Sequence, residues 1–104
     1  MRAILLQWMR DSRVPVLLCP LPTFAHIDGE LRPDGYLARF AEVAREGGAH
    51  FINILPALSR RPAKERERMR FEHDEHPTPF GHRCLAEAMA PELKAWLDAR
   101  KAQP

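Results

Sequence analysis

Between Phe71 and His82 the chain concentrates three histidines and three carboxylates: Glu72, His73, Asp74, Glu75, His76 and His82. An imidazole titrates near neutral pH, with an unperturbed pKa of about 6.5. It serves as a general base when a carboxylate fixes one tautomer and stabilises the protonated ring. Asp74 and His76, one residue apart, offer that pairing, a dyad that needs a nucleophile. A second chemistry uses His73, His76 and His82 with Asp74 or Glu75 as imidazole and carboxylate ligands for a divalent metal, although the spacing follows none of the recurrent zinc patterns. A third reading is a hydrophilic surface loop with no task.

No good nucleophile accompanies the dyad. The two serines are Ser12, in Asp11-Ser12-Arg13, and Ser59, beside Arg60. Neither follows a strand and a glycine in the manner of an activated serine. Cys19 and Cys84 lack CxxC or Cys/His spacing and are expected as buried, reduced thiols.

The elements that must position the cluster are legible in the apolar spacing. Ile4, Leu5, Trp8 and Met9 recur at helical intervals from Met1 to Arg13, in what looks like the end of a helix. Val14 to Leu21 is a continuous apolar run, predicted as a strand buried on both faces of a parallel sheet and stopped by Pro20 and Pro22. A polar loop is expected through His26-Ile27-Asp28-Gly29, followed by a turn at Arg32-Pro33-Asp34-Gly35. Tyr36 to Arg45 repeats apolar residues every three or four positions, predicting a helix closed by Gly47-Gly48. His50 to Leu55 reads as a second buried strand, with Asn53 inside it and Pro56 ending it. Strand, helix, strand in this order predicts a βαβ unit with parallel pairing.

Pro56 to Arg70 mixes Arg60, Arg61, Lys64, Arg66, Arg68 and Arg70 with Glu65 and Glu67, and is read as a solvated, partly helical excursion. Thr78 as N-cap and Pro79 in the first turn open a last helix toward Trp96-Leu97, with Leu85, Met89, Leu93 and Trp96 on one face and a kink or split at Pro91. The acidic and histidine-rich cluster thus falls after a parallel strand and at a helix N-terminus, where α/β sheets tend to place ligand sites.

Composition narrows the classes. The 104 residues, 45% hydrophobic, suffice for one small core and predict a single domain over 1–104. A net charge of +2 with 29% charged residues gives no one-signed field for a polyanion, so nucleic acid is not an expected partner. No stretch approaches the roughly 20 apolar residues that span a bilayer, and the start breaks into Arg10-Asp11 too early for a signal peptide. A soluble, unexported, cytoplasmic protein is the expectation.

Asp74-Glu75-His76-Pro77-Thr78-Pro79-Phe80-Gly81-His82-Arg83-Cys84-Leu85-Ala86-Glu87-Ala88 resembles the last block of SGNH/GDSL hydrolases, where an acid and a histidine precede a proline, a glycine and an amphipathic helix. This chain has one residue between acid and histidine, where the commonest form of the family has two. Val14 to Pro22 is similar to a late sheet strand and its proline loop in these enzymes, and Phe51 to Leu58 to the next strand and the segment beyond it. The resemblance implies a three-layer α/β/α fold with a parallel sheet, flavodoxin-like in outline, of which this chain holds the C-terminal portion. It implies His76 as general base, Asp74 as its partner, His82 as structural, a small acyl or acetyl ester as substrate, and no cofactor or metal. The family's Gly-Asp-Ser block and its glycine and asparagine blocks are absent. The chain by itself is therefore expected to have little or no esterase activity, with an N-terminal half supplied in cis or by a partner chain. The rival reading is a non-catalytic α/β interaction module.

Overall fold

A computed structural model describes residues 1–103 and shows a mixed α/β chain: six helices, one parallel strand pair and one antiparallel hairpin among the described residues. The chain divides into two compact units. The first comprises Met1–Leu21 and Arg32–Asn53; the second comprises Pro22–Leu31 and the described residues from Ile54 onward.

In the first unit, α1 (Arg2–Asp11), β1 (Leu17–Leu18), α3 (Asp34–Gly47) and β2 (His50–Phe51) build the predicted strand–helix–strand arrangement. β1 and β2 pair in parallel, Leu17 opposite His50 and Leu18 opposite Phe51. The His50 and Ile52 amides donate to the carbonyls of Val16 and Leu18 at 3.0 and 2.9 Å. Both strands are shorter than their apolar runs. Pro15 and Pro20 bracket β1 and have no amide to donate. Val14 and Leu21, at the ends of the run, stay 69% and 59% exposed, so the expectation of burial on both faces fails there. Asn53 lies past the end of β2 rather than inside it.

The core of this unit is Met9, Leu18, Val43 and Ala44, with Leu5, Leu6, Phe40 and Phe51 packed against it. On α1 the inward stripe is therefore Leu5, Leu6 and Met9. Ile4 and Trp8, which recur at the same helical spacing, are 73% and 58% exposed. They form the neighbouring i, i+4 stripe of the same helix, and only one stripe meets α3. Asp34 in the first turn and Arg45 in the last complement the dipole of α3. Gly48 then caps it in the left-handed conformation (φ 75°), which its missing side chain permits.

The second unit holds α2 (Phe24–Ile27), α4 (Leu55–Ser59), α5 (Ala63–Arg68), β3 (Arg70–Phe71), β4 (Asp74–Pro77) and α6 (Pro79–Lys101). Ile54, Leu58, Met69 and Cys84 are at most 1% exposed and form its centre, with Phe24, Ile27, Leu55 and Leu85 also buried. Complete burial of each large apolar side chain contributes about 1.5–3 kcal/mol. Three expectations are corrected here. The loop through His26 contains the short helix α2, because the Thr23 hydroxyl caps it by accepting from the His26 amide. His50 to Leu55 does not run on as strand, since Leu55 already starts α4 with Pro56 in its first turn. Finally, α6 is not split at Pro91 and runs over 23 residues. Pro91 and Glu87 are both exposed, so water can satisfy the carbonyl that the missing amide leaves behind.

Of the two cysteines, both unbridged, Cys84 is buried and Cys19 only half-buried; desolvation pushes both thiols up.

Candidate active site

The residues from Arg70 to Pro77 form a β-hairpin, not the loop that composition alone indicated. Arg70 pairs with Pro77 and Phe71 with Asp74, leaving Glu72 and His73 at the turn. One step along β3 thus matches three along β4, so Glu75 and His76 sit in a bulge. Bulges bend a strand and re-aim its side chains.

Asp74 explains how the bend closes. One carboxylate oxygen, Oδ1, accepts the backbone amide of His76 at 3.0 Å. The same oxygen is hydrogen-bonded to Nδ1 of the His76 ring. The first bond is an Asx-turn, in which a short side chain takes the place of a backbone acceptor. It draws the chain around so that the imidazole folds back onto the acid that made the turn. One intervening residue is enough for this geometry.

The electrostatics follow from the contact. Hydrogen bonds from the His76 ring, first, and from the His76 amide, second, hold the Asp74 carboxyl below the usual aspartate range. An ionised carboxylate only accepts, so Nδ1 must carry the proton of the shared bond. Nε2 then presents its lone pair outward. The His76 side chain is 83% exposed and that of Asp74 54%. The arrangement can take up a proton at Nε2 while the carboxylate steadies the charged ring.

The remaining members of the cluster do not converge. His73 stands 89% exposed, with Nε2 3.8 Å from Glu72. Glu75 is 3.9 Å from Arg70 instead of facing His76. His82 is exposed on the first turns of α6. Among the described residues no three histidine, cysteine, aspartate or glutamate side chains are placed to hold a metal ion. Ser12 caps the end of α1, its hydroxyl donating to the Val14 carbonyl at 2.8 Å. Ser59 is the last residue of α4.

Residues that composition did not single out hold the hairpin. Asp28, just past α2, receives Arg66 Nη1 at 3.1 Å and is 3.3 Å from Arg70 Nη2. The Arg70 guanidinium also lies 5.4 Å from the centre of the Phe24 ring. Thr78, between hairpin and helix, donates its hydroxyl to the Arg68 carbonyl at 2.6 Å and its amide to the Met69 carbonyl at 2.8 Å. The Thr-Pro helix start was the sequence signal for Thr78; nothing local pointed to Asp28, whose partners lie 38 and 42 residues away. The first unit has its own recess of about 600 Å³, lined by Leu5, Tyr36, Phe40 and Val43 among others, and no member of the histidine cluster lines it.

Compared with protein-family models, curated proteins and solved structures, the chain matches none. No helix among the described residues is long and apolar enough to cross a membrane.

Proposed function

We propose that this chain supplies the acid–histidine pair of an SGNH/GDSL-type serine hydrolase acting on small esters. The observation that carries the reading is the double engagement of Asp74 Oδ1 with the amide and Nδ1 of His76, in a ring whose other nitrogen opens to solvent. In the reaction, Nε2 of His76 removes the proton from a serine hydroxyl as its oxygen attacks the ester carbonyl. Collapse of the tetrahedral intermediate expels the alcohol, which takes that proton from the imidazolium. A water molecule repeats the sequence on the acyl-serine, with Asp74 stabilising the charged ring in both halves.

The serine and the oxyanion donors come from an N-terminal half in cis or a partner chain in trans. In this reading the β1–β2 pair belongs to a three-layer α/β/α sandwich whose other strands lie in that missing part. Parallel strands are usually covered on both sides, and β1 and β2 have only each other among the described residues. That same open pair favours the alternative of a non-catalytic interaction module.

The test is to recover the protein from its native source through a C-terminal affinity tag, with whatever precedes or accompanies it, and treat it with a fluorophosphonate probe and p-nitrophenyl acetate. The expected result is a labelled serine and turnover that falls at least about 10³-fold in His76→Ala and by a comparable factor in Asp74→Asn. Turnover unchanged by either substitution rejects the catalytic assignment; partner binding that survives both, with no labelled serine, establishes the interaction module. The isolated 104-residue chain should show no hydrolysis that depends on His76, since it lacks nucleophile and oxyanion hole.

A further inference from the structure

An acid–histidine pair on an exposed hairpin is useful only if something fixes where the imidazole points. The two strands are short, with two residues in β3 and four in β4, and their ladder is interrupted by the bulge. A two-stranded hairpin of this size is marginal in water by itself. The fixing element must therefore lie at its root, where both strands leave the packed interior.

The root is built from three hydrogen bonds, all made by Thr78, one steric contact and one cation–π contact. The Thr78 amide donates to the Met69 carbonyl, and its hydroxyl to the Arg68 carbonyl. That hydroxyl oxygen also accepts the Gly81 amide at 3.0 Å, capping α6. One side chain thus joins the residues just before β3 to the first turn of the helix that follows β4. Gly81 completes the joint: a Cβ built there would overlap the carbonyl oxygen of Met69, whose backbone lies directly against the helix. Met69 itself is 1% exposed, so the strand cannot shift away without disturbing the core. The guanidinium of Arg68 lies over the Phe80 ring at 4.2 Å, closing the outer side. His76 is two residues from Thr78, and the intervening Pro77 has its φ held near −65° by its ring. Pro77 thus removes one backbone torsion between the joint and the imidazole.

We infer that Thr78 and Gly81 are positioning residues for the Asp74–His76 pair: they lock the root of the hairpin to the first turn of α6 and so set the orientation of the His76 ring. The inference rests on the hydrolase reading for its purpose, but its geometry is measurable without any catalysis.

The experiment is NMR on the whole chain, following the ¹⁵N shifts of the His76 ring and the titration of the Asp74 carboxyl in wild type, Gly81→Ala, Thr78→Val and Thr78→Ser. Far-UV circular dichroism and thermal melting define a temperature at which each variant is folded. Wild type should show the Nδ1–H tautomer and a depressed Asp74 midpoint. Gly81→Ala and Thr78→Val should lose the tautomer preference and move the Asp74 midpoint up toward the ordinary aspartate range. Thr78→Ser, which keeps the hydroxyl, should retain the wild-type signature. If Gly81→Ala fails to fold, the contrast between Thr78→Val and Thr78→Ser decides alone. A folded Thr78→Val with the wild-type tautomer and midpoint overturns the clamp. Absence of turnover in the native-source assay, with the tautomer contrast intact, rejects hydrolysis and leaves the clamp standing.

Discussion

Gly47 at the end of α3 and Gly81 near the start of α6 both lie where an added methyl group would collide, yet the colliding atoms differ. At Gly47 the obstacle is the side chain of Met9, chiefly its flexible thioether; at Gly81 it is the backbone carbonyl of Met69. The surrounding units differ in the same sense. The first is a helix pair on a two-residue parallel ladder, with Ile4, Trp8 and Val14 left in solvent. The second has Ile54, Leu58, Met69 and Cys84 almost wholly enclosed. The unit with the tighter core carries the acid–histidine pair on its surface. An exposed pair has its own hydrogen bonds but little packing around it, so further rigidity has to come from beneath.

The sharpest way to break this contrast is at the centre of the second unit. Leu58→Ala should destabilise that unit by about 2–5 kcal/mol, read by urea unfolding and by hydrogen exchange of α6 amides. A cost under about 1 kcal/mol would mean the interior is looser than the burial of Leu58 indicates. The glycine pair comes next. Gly81→Ala should cost about 3 kcal/mol, the upper end for overpacking, because backbone must move. Gly47→Ala should cost about 1 kcal/mol or less, since Met9 can rotate and alanine favours helix. Equal costs would remove the distinction between the two units.

Smaller still is the charged tether. Asp28→Asn should weaken the hold of Arg66 and Arg70 by about 1 kcal/mol, with the difference from wild type shrinking at 1 M salt. The smallest effect concerns the pair itself. The folded Asp74 carboxyl is held below its ordinary range, chiefly by the His76 ring. Its contribution to hairpin order is therefore fully present above the ordinary aspartate value of about 3.9 and is lost as pH falls through the lower folded value. Protection of the His76 amide should follow that course while Leu58 and Met69 remain packed, and Asp74→Asn should abolish the pH step. A step that persists in Asp74→Asn would assign it to another carboxylate.

Several features were readable before any fold was known. Thr78-Pro79 marks the start of α6, Gly48 the end of α3, and the acid–histidine adjacency the candidate pair, because capping, left-handed glycine and short-range side-chain bonding depend on neighbours within a few residues. The hairpin escaped because its strands carry Arg70, Asp74, Glu75 and His76 instead of an alternating apolar pattern; its pairing is imposed from Met69 and Thr78. The exposure of Trp8 was not legible, because helical spacing identifies stripes without saying which one meets a partner. Pro91 leaves α6 unsplit because its penalty depends on whether the freed carbonyl can reach water.

The strand–helix–strand order of the first unit, the start of α6 and the closeness of Asp74 to His76 were thus set locally, by periodicity, caps and a separation of two residues. The hairpin pairing that carries the pair, the enclosure of Met69 and the close approach of its carbonyl to Gly81 were decided by tertiary structure. Those depend on which distant backbone atoms are brought within hydrogen-bonding or van der Waals range, and no short window of sequence encodes that distance.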